Sequence, residues 1–124
     1  MSQEKQTPGK ILFVDDEDVM RRLITRMAQR AGVENLEVYE DAESTVARLA
    51  ETEDVAAGVI SDGLNGGWKH VVSAAQEAGI PVVVLSGDYL KEEVEAAGAT
   101  YVMKPANMDV VKAIFAQFQS AATS

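Results

Sequence analysis

Five short apolar runs recur along this 124-residue chain, and a stretch with helical periodicity follows each of them. The runs occupy residues 10–14, 36–40, 55–62, 80–87 and 100–104, as KILFV, LEVYE, VAAGVISD, IPVVVLSG and TYVMK. Strict alternation of apolar strands with helices is typical of a parallel sheet that helices cover on both faces. With right-handed crossovers, the pattern predicts an α/β fold, a three-layer doubly wound sheet of five strands.

The helical stretches are predicted over 17–30, 41–50, 68–78 and 89–97 and from a cap at Asn107 onward. Asp16 or Glu17 is the expected cap of the first helix, and Asp41 that of the second. We expect residues 1–9 to be a disordered lead-in, 10–120 to form one domain and 121–124 to be a frayed tail.

The net charge of −9 and the pI near 4.5 argue against direct binding of nucleic acid or of an anionic membrane. The absence of cysteine excludes disulfides, thiolate metal sites and cysteine nucleophiles. No stretch has the length of a membrane span, and the N-terminus MSQEKQTPGK lacks an apolar signal segment. A cytoplasmic protein without membrane insertion is therefore expected.

Polar residues stand at the ends of four of the predicted strands. Asp15 and Asp16 follow the first strand, Asp62 ends the third, Ser86 lies at the end of the fourth and Lys104 at the end of the fifth. In open α/β sheets, ligands bind outside the carboxyl ends of the strands, near the point where the strand order reverses. We therefore expect these side chains to surround one crevice.

The three carboxylates repel one another unless a cation lies among them. Oxygen ligands without histidine or cysteine suit a hard cation, and Mg²⁺ is the usual one where phosphate chemistry is involved. Lys104 adds a fixed positive charge and Ser86 adds a hydroxyl donor. Together these groups suggest phosphoryl transfer to an aspartate carboxylate.

The motifs VDDE, ISD, LSG and YVMKP stand at the first, third, fourth and fifth strands. In that order and at those intervals, over about residues 10–120, the sequence resembles response regulator receiver domains of two-component signalling, of the single-domain chemotaxis or sporulation type. The resemblance implies a flavodoxin-like sheet with strand order 2-1-3-4-5. It also implies a protein that catalyses only its own phosphorylation and dephosphorylation, rather than an enzyme.

By this resemblance, Asp62 accepts a phosphoryl group from a histidine of a kinase or of a phosphotransfer protein. Asp16, Asp62 and the backbone carbonyl of Leu64 would bind Mg²⁺, with Mn²⁺ as an alternative, and Asp15 would act through a bound water. Lys104 would hold a phosphoryl oxygen and the unphosphorylated Asp62.

The resemblance further implies a switch. Ser86 matches the hydroxyl residue that moves toward the phosphate, and Tyr101 matches the aromatic residue that then turns inward. The Lys104–Pro105 peptide bond matches a position that is usually cis. Output would pass to a downstream protein through the face formed by the fourth helix, fifth strand and fifth helix.

The loop after Asp62, with the sequence DGLNGGWKH, departs from the family pattern. Gly66 stands where receivers commonly have proline, and His70 where they commonly have glycine. Leu64 is apolar where polar residues are frequent. We expect a more mobile loop, because glycine frees the backbone dihedrals, and a changed lifetime of the phosphoryl group.

Other readings of the same residues stay open. Asp15 and Asp16 can be helix caps and Asp62 a turn residue. A degenerate receiver would bind partners without phosphorylation. An aspartate-nucleophile phosphohydrolase usually has its second acid two residues after the nucleophile, which the adjacent acids here do not match. A flavodoxin-type module needs a phosphate-binding loop, and DDED would repel phosphate.

Overall fold

A computed structural model describes residues 9–123; the predicted lead-in over 1–8 and Ser124 lie outside the described residues. Strands and helices alternate as predicted. They are β1 (Ile11–Val14), α1 (Asp18–Arg30), β2 (Leu36–Tyr39), α2 (Ala42–Leu49), β3 (Gly58–Ser61), α3 (Trp68–Glu77), β4 (Val82–Ser86), α4 (Lys91–Ala96), β5 (Thr100–Met103) and α5 (Met108–Thr123). A 3₁₀ turn, Leu64–Gly66, precedes α3.

All strands pair in parallel, and their order is β2-β1-β3-β4-β5. This confirms the predicted five-stranded doubly wound sheet and the order that the resemblance implied. The order reverses between β1 and β3, because the chain first adds β2 on one side of β1 and then continues on the other. The carboxyl ends of β1 and β3 therefore flank the position where such folds bind ligands.

Alternating residues of the central strands pack into two separate cores. In β1, Leu12 and Val14 face one core with α2, α3 and α4, while Ile11 and Phe13 face the other with α1 and α5. All four side chains are fully buried. The second core includes Phe118, and the ring of Phe118 fills the space that a side chain at Gly58 would occupy. Burial on both faces explains the continuous apolar runs.

Several predicted boundaries were too wide. The third strand begins at Gly58 rather than at residue 55, and Val55 is 51% exposed. The fourth helix begins at Lys91 rather than at residue 89. In α5, Val111 faces the core, whereas Val110 is 36% exposed. Apolar composition extends past the strand ends, whereas pairing with a neighbouring strand decides where each strand begins.

Two predicted caps are confirmed. The backbone N–H of Ser44 donates to Asp41 Oδ1 at 2.8 Å, and that of Val110 donates to Asn107 Oδ1 at 3.0 Å. The backbone of α5 is helical to Thr123, and the fraying of the tail stays a prediction. Within the described residues, no helix combines the length and the apolar character that crossing a membrane requires.

Candidate functional site

Four strand ends bring the predicted polar residues to one edge of the sheet. Asp15 and Asp16 directly follow β1, and Asp62 directly follows β3. The N–H of Asp62 donates to the carbonyl of Val14 at 2.8 Å, which continues the pairing of β1 with β3 one residue further. On the other side, the N–H of Lys104 donates to the carbonyl of Ser86 at 2.9 Å. These backbone hydrogen bonds therefore fix the positions from which the side chains of Asp62 and Lys104 project.

The three carboxylates form one cluster. One oxygen from each of Asp15, Asp16 and Asp62 lies within 4.8 Å of the other two. Asp15 is fully buried, Asp62 is half-buried and Asp16 is exposed. The cluster thus runs from the protein interior to solvent, and a small cation can reach it.

Lys104 is the cation that the chain itself supplies to this cluster. Its Nζ lies 2.7 Å from Asp62 Oδ1 and 2.9 Å from Asp15 Oδ2. Burial lowers the pKa of Lys104, but hydrogen bonds to Asp62 and Asp15 and the charges of both outweigh it, so that the pKa lies above its ordinary value. Lys104 is therefore protonated at neutral pH and holds two carboxylates together.

One ammonium does not balance three carboxylates. Within residues 9–123, the carboxylate of Asp16 forms no ion pair and no hydrogen bond. Among the described residues, Lys104 alone forms ion pairs with these three carboxylates, so two of their negative charges are left unpaired, which is the charge of one divalent ion. Oxygen-only donors of this kind fit Mg²⁺ or Mn²⁺. The donor set therefore suits a hard divalent cation.

Asp15 binds the backbone at the start of α1, where the sequence predicted that Asp16 or Glu17 would act as the cap. Asp15 Oδ1 accepts the N–H of Glu17 at 2.9 Å, and the carbonyl of Asp15 accepts Arg21 Nη1 at 2.9 Å. Glu17 occupies the N-cap position, but its side chain forms no cap hydrogen bond. The predicted position of the cap at Glu17 is confirmed, but capping by its side chain is not, and the N–H of Glu17 itself is bound by the buried Asp15.

The 3₁₀ turn after Asp62 has an uncommon backbone. Leu64 and Asn65 both have φ of 52°, in the left-handed region that branched side chains rarely adopt. The N–H of Leu64 donates to Asp62 Oδ2 at 3.1 Å, and the Leu64 carbonyl accepts the N–H of Gly67 at 2.9 Å. The carbonyl proposed for the metal thus already has one partner, and its second lone pair is left for an ion.

Ser86 packs against Gly63, the residue directly after Asp62. A Cβ built at Gly63 would lie 3.1 Å from Ser86 Oγ, which makes Gly63 a residue of the site that the sequence analysis missed. Ser86 Oγ accepts the N–H of Asp88 at 3.1 Å. A glycine directly after a strand-end aspartate was the available signal, since glycine often marks a close approach of other atoms.

Tyr101 contacts the same loop from β5. Its hydroxyl lies within hydrogen-bonding distance of the carbonyls of Ser86 and Asp88, and its ring meets the ring of Tyr89 edge to face at 6.1 Å. Ser86 and Tyr101 are therefore joined through the backbone of residues 86–88. The Lys104–Pro105 peptide bond is cis, the isomer that the resemblance implied.

No protein-family model and no curated protein sequence matches the chain. Solved structures do resemble it. The chemotaxis response regulator CheY4 of Vibrio cholerae has a TM-score of 0.72 and 24% identity over 90% of this chain and 99% of its own. A response regulator receiver domain from Clostridium thermocellum has a TM-score of 0.78 and 18% identity over 90% and 94%.

A de novo designed Rossmann 2x3 fold protein is also similar, with a TM-score of 0.73 and 17% identity over 94% of this chain and 93% of its own. At these identities the likeness shows the fold alone. The chain has the fold of receiver domains, and a designed protein shares that fold. Evidence for a function must therefore come from the residues of the acidic site.

Proposed function

We propose that the protein is a phosphoacceptor receiver of a two-component phosphorelay, with Asp62 as the acceptor. One observation carries the proposal: Lys104 Nζ lies within 2.9 Å of both Asp15 and Asp62, inside a cluster of three carboxylates. The fold alone does not require these charges at one edge. Bringing them together costs free energy through like-charge repulsion, and a cation-dependent reaction would explain why that cost is tolerated.

The proposed reaction transfers a phosphoryl group from a protein histidine to Asp62. An Asp62 oxygen attacks phosphorus in line, the O–P bond forms, the P–N bond breaks, and the electron pair stays on the histidine nitrogen. Lys104 and the N–H of Leu64 hold the carboxylate in place before the attack. Mg²⁺ held by Asp15, Asp16, Asp62 and the Leu64 carbonyl would neutralise charge on the phosphoryl oxygens.

The proposed switch follows from the contacts of Ser86. When its hydroxyl turns to a phosphoryl oxygen on Asp62, the N–H of Asp88 loses its acceptor. The segment 86–88 then rearranges, and Tyr101 moves with it, because the Tyr101 hydroxyl bonds to the carbonyls of this segment. A local charge change would thus reshape the α4-β5-α5 face, which would bind the downstream protein.

In this proposal the protein works in the cytoplasm and binds a histidine kinase or a histidine phosphotransfer protein. It catalyses its own phosphorylation and dephosphorylation and acts on no further substrate. Direct binding of nucleic acid is not part of the proposal, since the chain carries a net charge of −9.

A second candidate is a degenerate receiver that binds partners without phosphorylation. The turn after Asp62 favours it: Leu64 has a left-handed backbone, and its carbonyl is already hydrogen-bonded to Gly67. If this carbonyl does not turn to a metal, the metal site lacks one ligand. An aspartate-nucleophile phosphohydrolase has no comparable observation in its favour.

The test is the intact mass after incubation with acetyl phosphate, with Mg²⁺ and with EDTA. We expect one base-labile phosphoryl group that requires Mg²⁺ and is absent in Asp62→Asn. Asp109→Asn, which removes an acid in the first turn of α5, is the matched control and should be phosphorylated like the parent. Label on Asp62→Asn would show that the acceptor is assigned wrongly.

Failure of the parent to take up phosphate favours the second candidate once a second measurement agrees. Trp68 is buried at the start of α3, directly after the turn. Its backbone N–H donates to the carbonyl of Gly63, with the nitrogen 3.3 Å from the oxygen. Its fluorescence should change when beryllofluoride and Mg²⁺ bind at Asp62. Unchanged fluorescence together with no phosphoryl adduct would support the degenerate receiver.

A further inference from the structure

The turn between β3 and α3 contains the pair Asn65–Gly66, three positions after Asp62. Both residues are exposed, and both have a positive φ, 52° and 94°. Within residues 9–123, the Asn65 side chain forms no hydrogen bond. A free side-chain amide followed by glycine is chemically reactive, because no side chain shields the glycine nitrogen.

We propose that Asn65 is a site of spontaneous deamidation that alters the adjacent acidic site. The backbone nitrogen of Gly66 attacks Asn65 Cγ, forming a C–N bond, and the proton of that nitrogen is lost to hydroxide. The bond from Cγ to Nδ2 breaks, and the amide nitrogen leaves as ammonia after taking a proton from water. Water then opens the cyclic imide, and the chain carries either an aspartyl or an isoaspartyl residue.

The chain offers two internal comparisons, because its other asparagines are differently placed. Asn35 precedes Leu36, and its side-chain amide donates to the carbonyl of Gly9. Asn107 precedes Met108, and its side-chain oxygen caps α5. In both cases a bulky residue follows and a hydrogen bond holds the amide. Only Asn65 combines a free amide with a following glycine among the three asparagines of the sequence.

One contact opposes the reaction, and one feature of the backbone favours it. The N–H of Gly66 donates to the carbonyl of Gly63 at 2.9 Å, so the turn must open before the nitrogen can attack. The left-handed conformation of Leu64 is unfavourable for a branched side chain and makes the closed turn easier to open. Opening of such a short exposed turn does not require global unfolding.

The effect on the acidic site rests on the proposed function. An aspartyl product adds a negative charge near Asp62, and an isoaspartyl product lengthens the backbone by one methylene directly after Leu64. The N–H of Leu64 contacts Asp62, and its carbonyl is the proposed metal ligand. Either product therefore changes how the turn supports Asp62, and we expect slower phosphorylation of the aged protein.

The experiment ages the native protein at mildly alkaline pH and follows its peptides by mass spectrometry. Exchange of NH₂ for OH gives a small mass increase, which should accumulate at Asn65 several-fold faster than at Asn35 or Asn107. The rate should rise with hydroxide concentration, because the deprotonated nitrogen is the nucleophile. Asn65→Gln is the matched variant and should show no such increase in this peptide.

Equal or slower reaction at Asn65 than at Asn35 and Asn107 in the native protein would overturn the proposal. So would rapid reaction at Asn65 in urea together with none in the native state, because the folded turn would then protect it. Phosphorylation of fresh and aged protein by acetyl phosphate is measured separately. If fresh protein takes up no phosphate, the proposed function is wrong. The mass increase at Asn65 still tests the deamidation independently.

Discussion

Two of the clusters of charged residues in this small domain are built differently. One surrounds Lys104 at the carboxyl ends of the strands. The other surrounds Arg48 of α2, whose side chain is only 7% exposed. Arg48 Nε lies 2.7 Å from Glu37 Oε1, Nη1 donates to the carbonyl of Asp54 at 2.7 Å, and Glu51 Oε1 is 3.6 Å away. Here a buried cation gathers carboxylates around itself.

The two clusters differ in how many of their carboxylates lack a cation. Around Arg48, Lys10 adds a second cation 3.5 Å from both Glu37 and Asp54, so that two cations lie among three carboxylates. Around Lys104, Asp16 has no cation within the described residues and the cluster has surplus negative charge. A cluster whose charges are closer to balance suits stability, whereas one with a larger surplus of negative charge suits binding of a cation.

The largest effect on stability is expected from Arg48→Met. The substitution removes the Arg48 donors from the Asp54 carbonyl and from the Glu37 carboxylate, which keeps the Tyr39 hydroxyl, and it should lower the free energy of unfolding by about 3 kcal/mol. Urea denaturation measures the change. Arg22→Met, at a side chain that is 72% exposed, is the matched control and should change it by less than about 0.5 kcal/mol. Equal losses of unfolding free energy in the two variants would mean that the buried arginine stabilises the fold no more than the surface arginine does.

Lys104→Ala should have a smaller effect on stability, a loss of about 1–2 kcal/mol in EDTA, because the buried Asp15 keeps the N–H of Glu17 as a donor and water reaches Asp16 and Asp62 at the open end of the cluster. Most of the fold should persist, while coupling between Asp62 and the α4-β5-α5 face is lost. Urea denaturation with and without Mg²⁺ checks the first part. If added Mg²⁺ raises the free energy of unfolding of neither the parent nor the variant, the acidic cluster is not a cation site.

The pH dependence of stability should separate the two clusters. Burial raises the pKa of Glu37, but hydrogen bonds from Tyr39 and Arg48 outweigh it, so the folded pKa lies below 4.5. This contribution is present above pH 4.5 and is lost as the pH falls through the folded pKa. The raised pKa of Lys104 has the opposite sign: its contribution is present below pH 10.5 and is lost as the pH rises through the folded value.

Glu37→Gln should therefore flatten the acid side of a plot of unfolding free energy against pH, and Lys104→Ala the alkaline side. Urea denaturation over a series of pH values gives the plot. Tyr39 also contributes on the alkaline side, because burial and its hydrogen bond to Glu37 raise its pKa to about 12. Introducing Tyr39→Phe into both the parent and Lys104→Ala removes the contribution of Tyr39 from the comparison. An acid side unchanged by Glu37→Gln would contradict the assignment.

The smallest effect is expected from Asp16→Asn, and its sign is the sharpest test of the comparison. Removing one charge from the cluster relieves repulsion, and in EDTA it should raise the free energy of unfolding by about 0.5 kcal/mol. In Mg²⁺ the advantage should disappear, since a ligand is lost. Glu51→Gln, the matched change near Arg48, should not stabilise the protein in either condition. Destabilisation by Asp16→Asn in EDTA would mean that Asp16 has a structural role.

The two clusters also differ in how far the sequence predicts them. The alternation of strands and helices and the acids at strand ends predicted the fold, the edge and the gathering of Asp15, Asp16, Asp62 and Lys104. They did so because parallel strands all end at the same edge. Nothing in the sequence marked Arg48 as buried, because an arginine in an amphipathic helix is ordinarily exposed.

By itself, the sequence determined which residues stand at strand ends, since that depends on local periodicity. Only the tertiary structure decided that Lys104 reaches Asp15, 89 positions away, that Asp15 accepts the N–H of Glu17, and that Leu64 takes a left-handed backbone. Distances between side chains depend on strand order and on the path of each loop. Strand order and loop paths depend on the packing of the whole chain, which a local sequence pattern does not predict.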